Sequence, residues 1–166
     1  LLFVVEREAD GREPSVRCIN FGLDGMQSFS FTLEEERSAV LVPAGQVGTY
    51  LYEPNASVLK AGAFKQIAVR TGVKKLQVNS HLYTSDHLVS DFPGRRFRVD
   101  EVLSFTGKLC KGLSKTIPQA NITVRNFPLS VEELRKRTKI TDGGHVYLFA
   151  TTLVDGEKVL VKCSKA

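Results

Sequence analysis

The sequence predicts an α+β fold: an N-terminal antiparallel β meander, a small mixed segment, and a C-terminal domain of order β-α-β-α-β-β. Three observations carry this. Short runs of alternating apolar residues are separated by Asp-Gly pairs at both ends of the chain. Two segments have the Ser/Thr-x-x-Glu spacing that opens helices. The hydrophobic content of 42% is enough for a real core in 166 residues.

Residues 1–7, 14–21 and 27–32 read as short strands, broken at Asp10-Gly11 and Leu23-Asp24-Gly25. Thr32-Leu33-Glu34-Glu35 is a capping box, so a brief helix to Ser38 follows before Pro43 and Gly45 loosen the chain. A first boundary falls here, and residues 1–46 form one unit. Tyr50-Leu51-Tyr52 alternates as a strand, Pro54 forces Glu53 out of the helical region, and Asn55 caps a helix expected over Ala56–Arg70. Gly62 in that helix interior implies a close contact that offsets its cost of about 1 kcal/mol. Leu76–Val78 is expected as a strand, and Phe92-Pro93-Gly94 as the turn that ends a segment of residues 47–93.

Beyond it, Arg95–Phe105 alternates as a strand with Arg96, Arg98 and Asp100 on one face. Thr106 caps a helix to Thr116 whose apolar stripe is Leu109, Leu113 and Ile117, with Lys108, Lys111 and Lys115 on another face. Ala120–Phe127 is a strand. Ser130-Val131-Glu132-Glu133 opens a second helix ending in Arg135, Lys136, Arg137 and Lys139. Asp142-Gly143-Gly144 and Asp155-Gly156 then frame two closing strands, so residues 94–166 make the last domain.

The net charge of +5 is unevenly placed: from Gly94 onward there are 14 Lys and Arg against 7 Asp and Glu. That favours a polyanionic partner, nucleic acid first. The candidate phosphate contacts are Arg95, Arg96, Arg98, Lys108, Lys111, Lys115, Arg125, Arg135, Lys136 and Lys139; a solvated basic face is the plainer alternative. Phe97, Phe105, Phe127, Tyr147 and Phe149 fall where a core wants them, which argues for backbone recognition over base stacking.

Enzymatic machinery is missing: no glycine-rich nucleotide loop, H-E-x-x-H or G-x-S-x-G occurs. His81, Asp86 and His87 fit no standard metal spacing, and no catalytic residue is assigned. Cys18, Cys110 and Cys163 are scattered, which suits structural thiols in a reducing cytoplasm. No apolar run is long enough for a membrane span. The first residues lack the charge order of a signal peptide and there is no initial Met, so the chain is expected to be an excised part of a longer protein. Tyr50, Tyr52, Glu53, Asn55 and Gly62 read as a joint between domains, with Glu53 ordering the hinge or facing a neighbouring domain.

TYLYEPNASVLKAGAF from Thr49, NSHLYTSD from Asn79, FPGRRFRV from Phe92 and GGHVYLFATTL from Gly143 carry a resemblance over essentially the whole chain. At these stretches it closely resembles the C-terminal region of a bacterial family of SAM-dependent methyltransferases with a THUMP-like domain. The resemblance implies that residues 47–93 are ferredoxin-like and residues 94–166 THUMP-like. It also implies that residues 1–46 complete an upstream Rossmann-like methyltransferase domain or link to it. THUMP domains present structured RNA, especially tRNA, to a catalytic domain. The expected partners are therefore structured RNA and the upstream domain. S-adenosylmethionine is expected in that absent domain and no cofactor here, because the SAM-binding and target-holding motifs are missing. The alternative is a structural domain that packs on and stabilises the methyltransferase domain without touching nucleic acid.

Overall fold

The computed structural model describes Gly11, residues 13–22 and residues 25–166. The strand expected over residues 1–7 lies outside the described residues. Strands β1 (Ser15–Gly22) and β2 (Gly25–Thr32) pair antiparallel in a two-stranded sheet, with Gly22 opposite Gly25. Cys18 and Phe31 on one face are buried. The Thr32 capping box forms as its spacing predicts, and opens α1 (Leu33–Ser38).

Seven strands form one mixed sheet: β3 (Tyr50–Pro54), β4 (Lys74–Lys75), β5 (Tyr83–Ser85), β6 (Gly94–Ser104), β7 (Asn121–Val124), β8 (Tyr147–Thr152) and β9 (Lys158–Lys165), in the order β4-β5-β3-β6-β9-β8-β7. The β3–β6 pair makes residues 47–93 and 94–166 share this sheet, with Leu51 opposite Phe97 and Pro54 opposite Gly94. That last pairing requires glycine: a Cβ on Gly94 would strike the Glu53 carbonyl oxygen and come within 2.8 Å of Pro54 Cα. All ladders are antiparallel except β7–β8, which flank α5 (Val131–Thr138) as a parallel crossover.

The sheet is strongly curled. In strand order β3 and β7 are four steps apart, roughly 19 Å in a flat sheet. Yet Arg125, just past β7, places Nη2 2.8 Å from Glu53 Oε1 on β3. Gln77, just past edge strand β4, accepts from Asn126 Nδ2 at 3.0 Å, so the two edges converge. Inside the curl Leu51, Phe97, Phe149, Val161 and Cys163 pack with Leu76 and Leu82 from the β4–β5 connection.

The outer face carries two helical layers. The hairpin joins α2 (Ala56–Ala61) and α3 (Gln66–Thr71) over Tyr52 and Tyr83. Helices α4 (Gly107–Thr116) and α5 cover Leu148, Ala150 and Leu160.

Four expectations need correction. The single helix over Ala56–Arg70 is two, because Gly62 adopts φ 77° and caps α2 in the left-handed region. No atom from elsewhere in the fold lies within 4 Å of where its Cβ would be, so its glycine is required by backbone conformation and not by a tight contact. Lys65 gives α3 no side-chain cap; Glu36 of α1 does so from a distance, accepting from Lys65 N at 2.9 Å and Gln66 N at 2.8 Å. The Leu76–Val78 strand is absent: strand geometry stops at Lys75, and Leu76 is buried in the following turn. Finally, a β-bulge between Val99 and Glu101 interrupts the strict alternation expected along β6.

Candidate functional site

Glu53 is the buried centre of the molecule's polar structure. Its position near the end of β3 directs its carboxylate to the convergence of the sheet edges, where it is 4% exposed. Oε2 accepts from Arg95 Nε at 2.9 Å and pairs also with Arg95 Nη2; Oε1 accepts from Arg125 Nε at 3.1 Å and Nη2 at 2.8 Å. Two guanidinium forks thus saturate one carboxylate. Glu53 therefore links β3 to two arginines of the C-terminal segment. The exposed N–H of α2 is capped by Asn55, whose Oδ1 accepts from Val58 N at 3.1 Å.

The other joint residues are dispersed around this seam. Tyr52 is fully buried, donating to the His87 carbonyl at 3.0 Å and accepting from Val89 N at 3.0 Å. Asn55 also donates to Gln27 of the hairpin at 2.9 Å. Tyr50 is half-buried opposite Arg98, and Gly62 serves α2 alone.

Beside the seam lies an aromatic and cationic cluster missed by reading the sequence. His81, at φ 52°, stacks on Phe64 with centroids 3.9 Å apart, and its buried Nδ1 has no hydrogen-bond partner among the described residues. Lys75 is 3% exposed, donates to the Val78 carbonyl at 2.6 Å and sits 5.0 Å from the Phe64 ring centre. Burial pushes Lys75 down to about 8, partly opposed by Glu36. Burial, then the charges of Lys75 and Arg125, holds His81 below the usual imidazole value. Asp86 and His87 are exposed. Among the described residues, no group of His, Cys, Asp and Glu is arranged to hold a metal. The three cysteines are buried and unpaired, and burial raises each thiol. No helix among the described residues is long and apolar enough to cross a membrane.

The candidate cations divide. Arg95 and Arg125 bind Glu53; Arg135 binds Asp142 and the carbonyls of Ile140 and Ala120; Arg96 donates to the Ser90 carbonyl. Arg98, Lys108, Lys111, Lys115, Lys136 and Lys139 are exposed and form no ion pair among the described residues. Arg137, of the same basic run at the end of α5, joins them: it is exposed and close enough to α4 for its charge to act on the Cys110 thiol. The α4 lysines stand opposite the buried Cys110 and Leu113, as 3.6-residue periodicity requires.

A seven-stranded sheet shared by a short mixed segment and a β-α-β-α-β-β segment, with helices outside and a buried ion cluster in the seam, defines a composite α+β unit. Residues 50–93 match the ferredoxin-like domain family and residues 94–165 the THUMP domain-like family. The chain thus joins a ferredoxin-like domain and a THUMP-like domain in tandem. In structure it is similar to a candidate methyltransferase from Porphyromonas gingivalis W83, at 48% identity and TM-score 0.87 over 92% of this chain. The chain spans 38% of that solved chain's length. No curated protein matches it.

Proposed function

We propose that the chain is the accessory region of a SAM-dependent RNA methyltransferase and that it holds structured RNA by its phosphates. The observation that supports this most directly is the set of uncommitted cations on the outer faces of α4 and α5: Lys108, Lys111 and Lys115 with Lys136, Arg137 and Lys139. These side chains form no ion pair among the described residues, although Lys136 and Arg137 also complement the negative end of α5. Cations on the exposed faces of two helices suit contacts to a folded backbone and do not read sequence. S-adenosylmethionine belongs to the upstream domain in this reading. The β7-to-α5 connection, Arg125–Ser130, contains no glycine and does not fit a nucleotide cradle.

The test is a mobility shift with tRNA and with an unstructured RNA across salt concentrations. Tight binding to folded RNA is expected at low salt. Lys108→Gln/Lys111→Gln/Lys115→Gln should lower the slope of log affinity against log salt by about 2. Absence of binding at low salt, or an unchanged slope, refutes the reading.

A further inference from the structure

The hairpin presents a second surface that RNA binding does not explain. Its inner face supplies Cys18 and Phe31 to a core cluster, yet its outer face is also apolar at the tip. Phe21 and Met26 are directly opposite in the ladder and therefore share a face, with Ile19 two residues back on the same side. They are 80%, 58% and 41% exposed. Together they expose on the order of 300 Å² of apolar side chain, the scale of the largest patch on a typical monomer, which is often functional. An isolated two-stranded ribbon is itself marginal in water and gains from cover on both faces. Next to the tip runs a groove of about 530 Å³ between the hairpin and the Ser90–Arg96 turn, with Asn20, Asn55, Asp91 and Arg96 among its polar lining. An apolar knob beside a groove of mixed polarity is the composition of a protein interface, with a dry centre and a polar rim. It is a poor phosphate surface.

We propose that this hairpin tip is the docking surface for the upstream methyltransferase domain of the parent polypeptide. The proposal rests on the reading of this chain as part of a longer methyltransferase. In the solved relative the matched portion is the C-terminal region and makes up 38% of the chain, so the larger remainder precedes the equivalent of β1. A domain tethered there is held at high effective concentration near β1 and β2 and needs only a modest patch to dock. The hairpin thus acts as an adaptor: one face closes the core of the accessory region and the other receives the catalytic domain, fixing its position relative to the α4–α5 cations.

Hydroxyl-radical footprinting tests this independently of RNA, and Met26, the chain's single methionine, gives a clean reporter. Oxidation of Phe21 and Met26 should be about tenfold slower in the parent polypeptide than in the 166-residue chain, because an interface centre excludes water. Val154, 53% exposed on the β8–β9 turn, should label equally in both. Equal labelling of the tip in both proteins overturns the proposal. So does protection in the 166-residue chain that grows with concentration, which would make a second copy the occupant. Phe21→Ser/Met26→Ser should leave the melting of the 166-residue chain unchanged and quicken tryptic separation of the two bodies of the parent severalfold; unchanged proteolysis also overturns it. A failure of RNA binding leaves these outcomes unaffected.

Discussion

Arg125 and Lys111 are both basic residues of the C-terminal segment, yet their surroundings are opposed. Arg125 aims its guanidinium at a carboxylate that is 4% exposed and reaches it across the mouth of the curled sheet. Lys111 stands on the outer face of α4, exposed and without an acidic partner among the described residues. The same formal charge therefore does two jobs. At the seam it neutralises Glu53 and ties the ferredoxin-like segment to the THUMP-like one; on the helix it is left available for a partner. A net charge cannot separate these roles, whereas burial and hydrogen-bond partners do.

The comparison breaks if seam residues affect RNA binding as strongly as stability, or if the α4 lysines affect stability. The largest effect is expected at Gly94→Ala, where the added carbon must push β6 from β3. A loss of about 3 kcal/mol is expected by analogy with overpacked sites, measured by urea unfolding. Glu53→Gln comes next, keeping shape and removing the charge that the two arginines need. Breaking a fully buried pair costs about 3–5 kcal/mol, but the Arg95 side chain is about half exposed and can be hydrated, so about 2 kcal/mol is expected. For a chain of this length that is a fall in melting temperature of roughly 6 °C. RNA affinity at fixed temperature below the transition should hold.

Lys75 gives a pH test of the same interior. Its folded pKa of about 8 lies below the ordinary 10.5, so between these values the unfolded chain binds more protons. Its contribution therefore makes stability rise from about pH 8 to 10.5, while below pH 8 the penalty of the buried ammonium is present in full. Lys75→Met should flatten that rise and raise the melting temperature at pH 7, since exposed Val78 can give its carbonyl to water. An unchanged slope of melting temperature against pH would remove Lys75 from the account. The smallest effect is expected for Lys108→Gln/Lys111→Gln/Lys115→Gln, within about 0.5 kcal/mol of the parent stability, although it should weaken RNA binding most.

Much of the local structure was legible. The caps at Thr32, Asn55, Thr106 and Ser130 all form, because each depends on a side chain reaching a backbone N–H three residues away. The order β6-α4-β7-α5-β8-β9 follows from apolar periodicity and the Asp-Gly turns. The lysine face of α4 was equally readable. The split between α2 and α3 was missed since glycine reads alike as a poor helix residue and as a left-handed cap. Nothing local in Lys75, Phe64 or His81 says that they stack, because Phe64 lies before α3 in the chain and reaches the other two, after it, only through tertiary packing.

Sequence by itself thus determined the elements of the C-terminal segment, the capped helix starts and which helix faces are charged, all of which are set by interactions within a few residues. Tertiary structure decided which charges are spent. Glu53 meets Arg95, its ladder neighbour on β6, 42 residues away and Arg125 72 residues away, and the second contact exists only because the sheet curls far enough to bring its edges together.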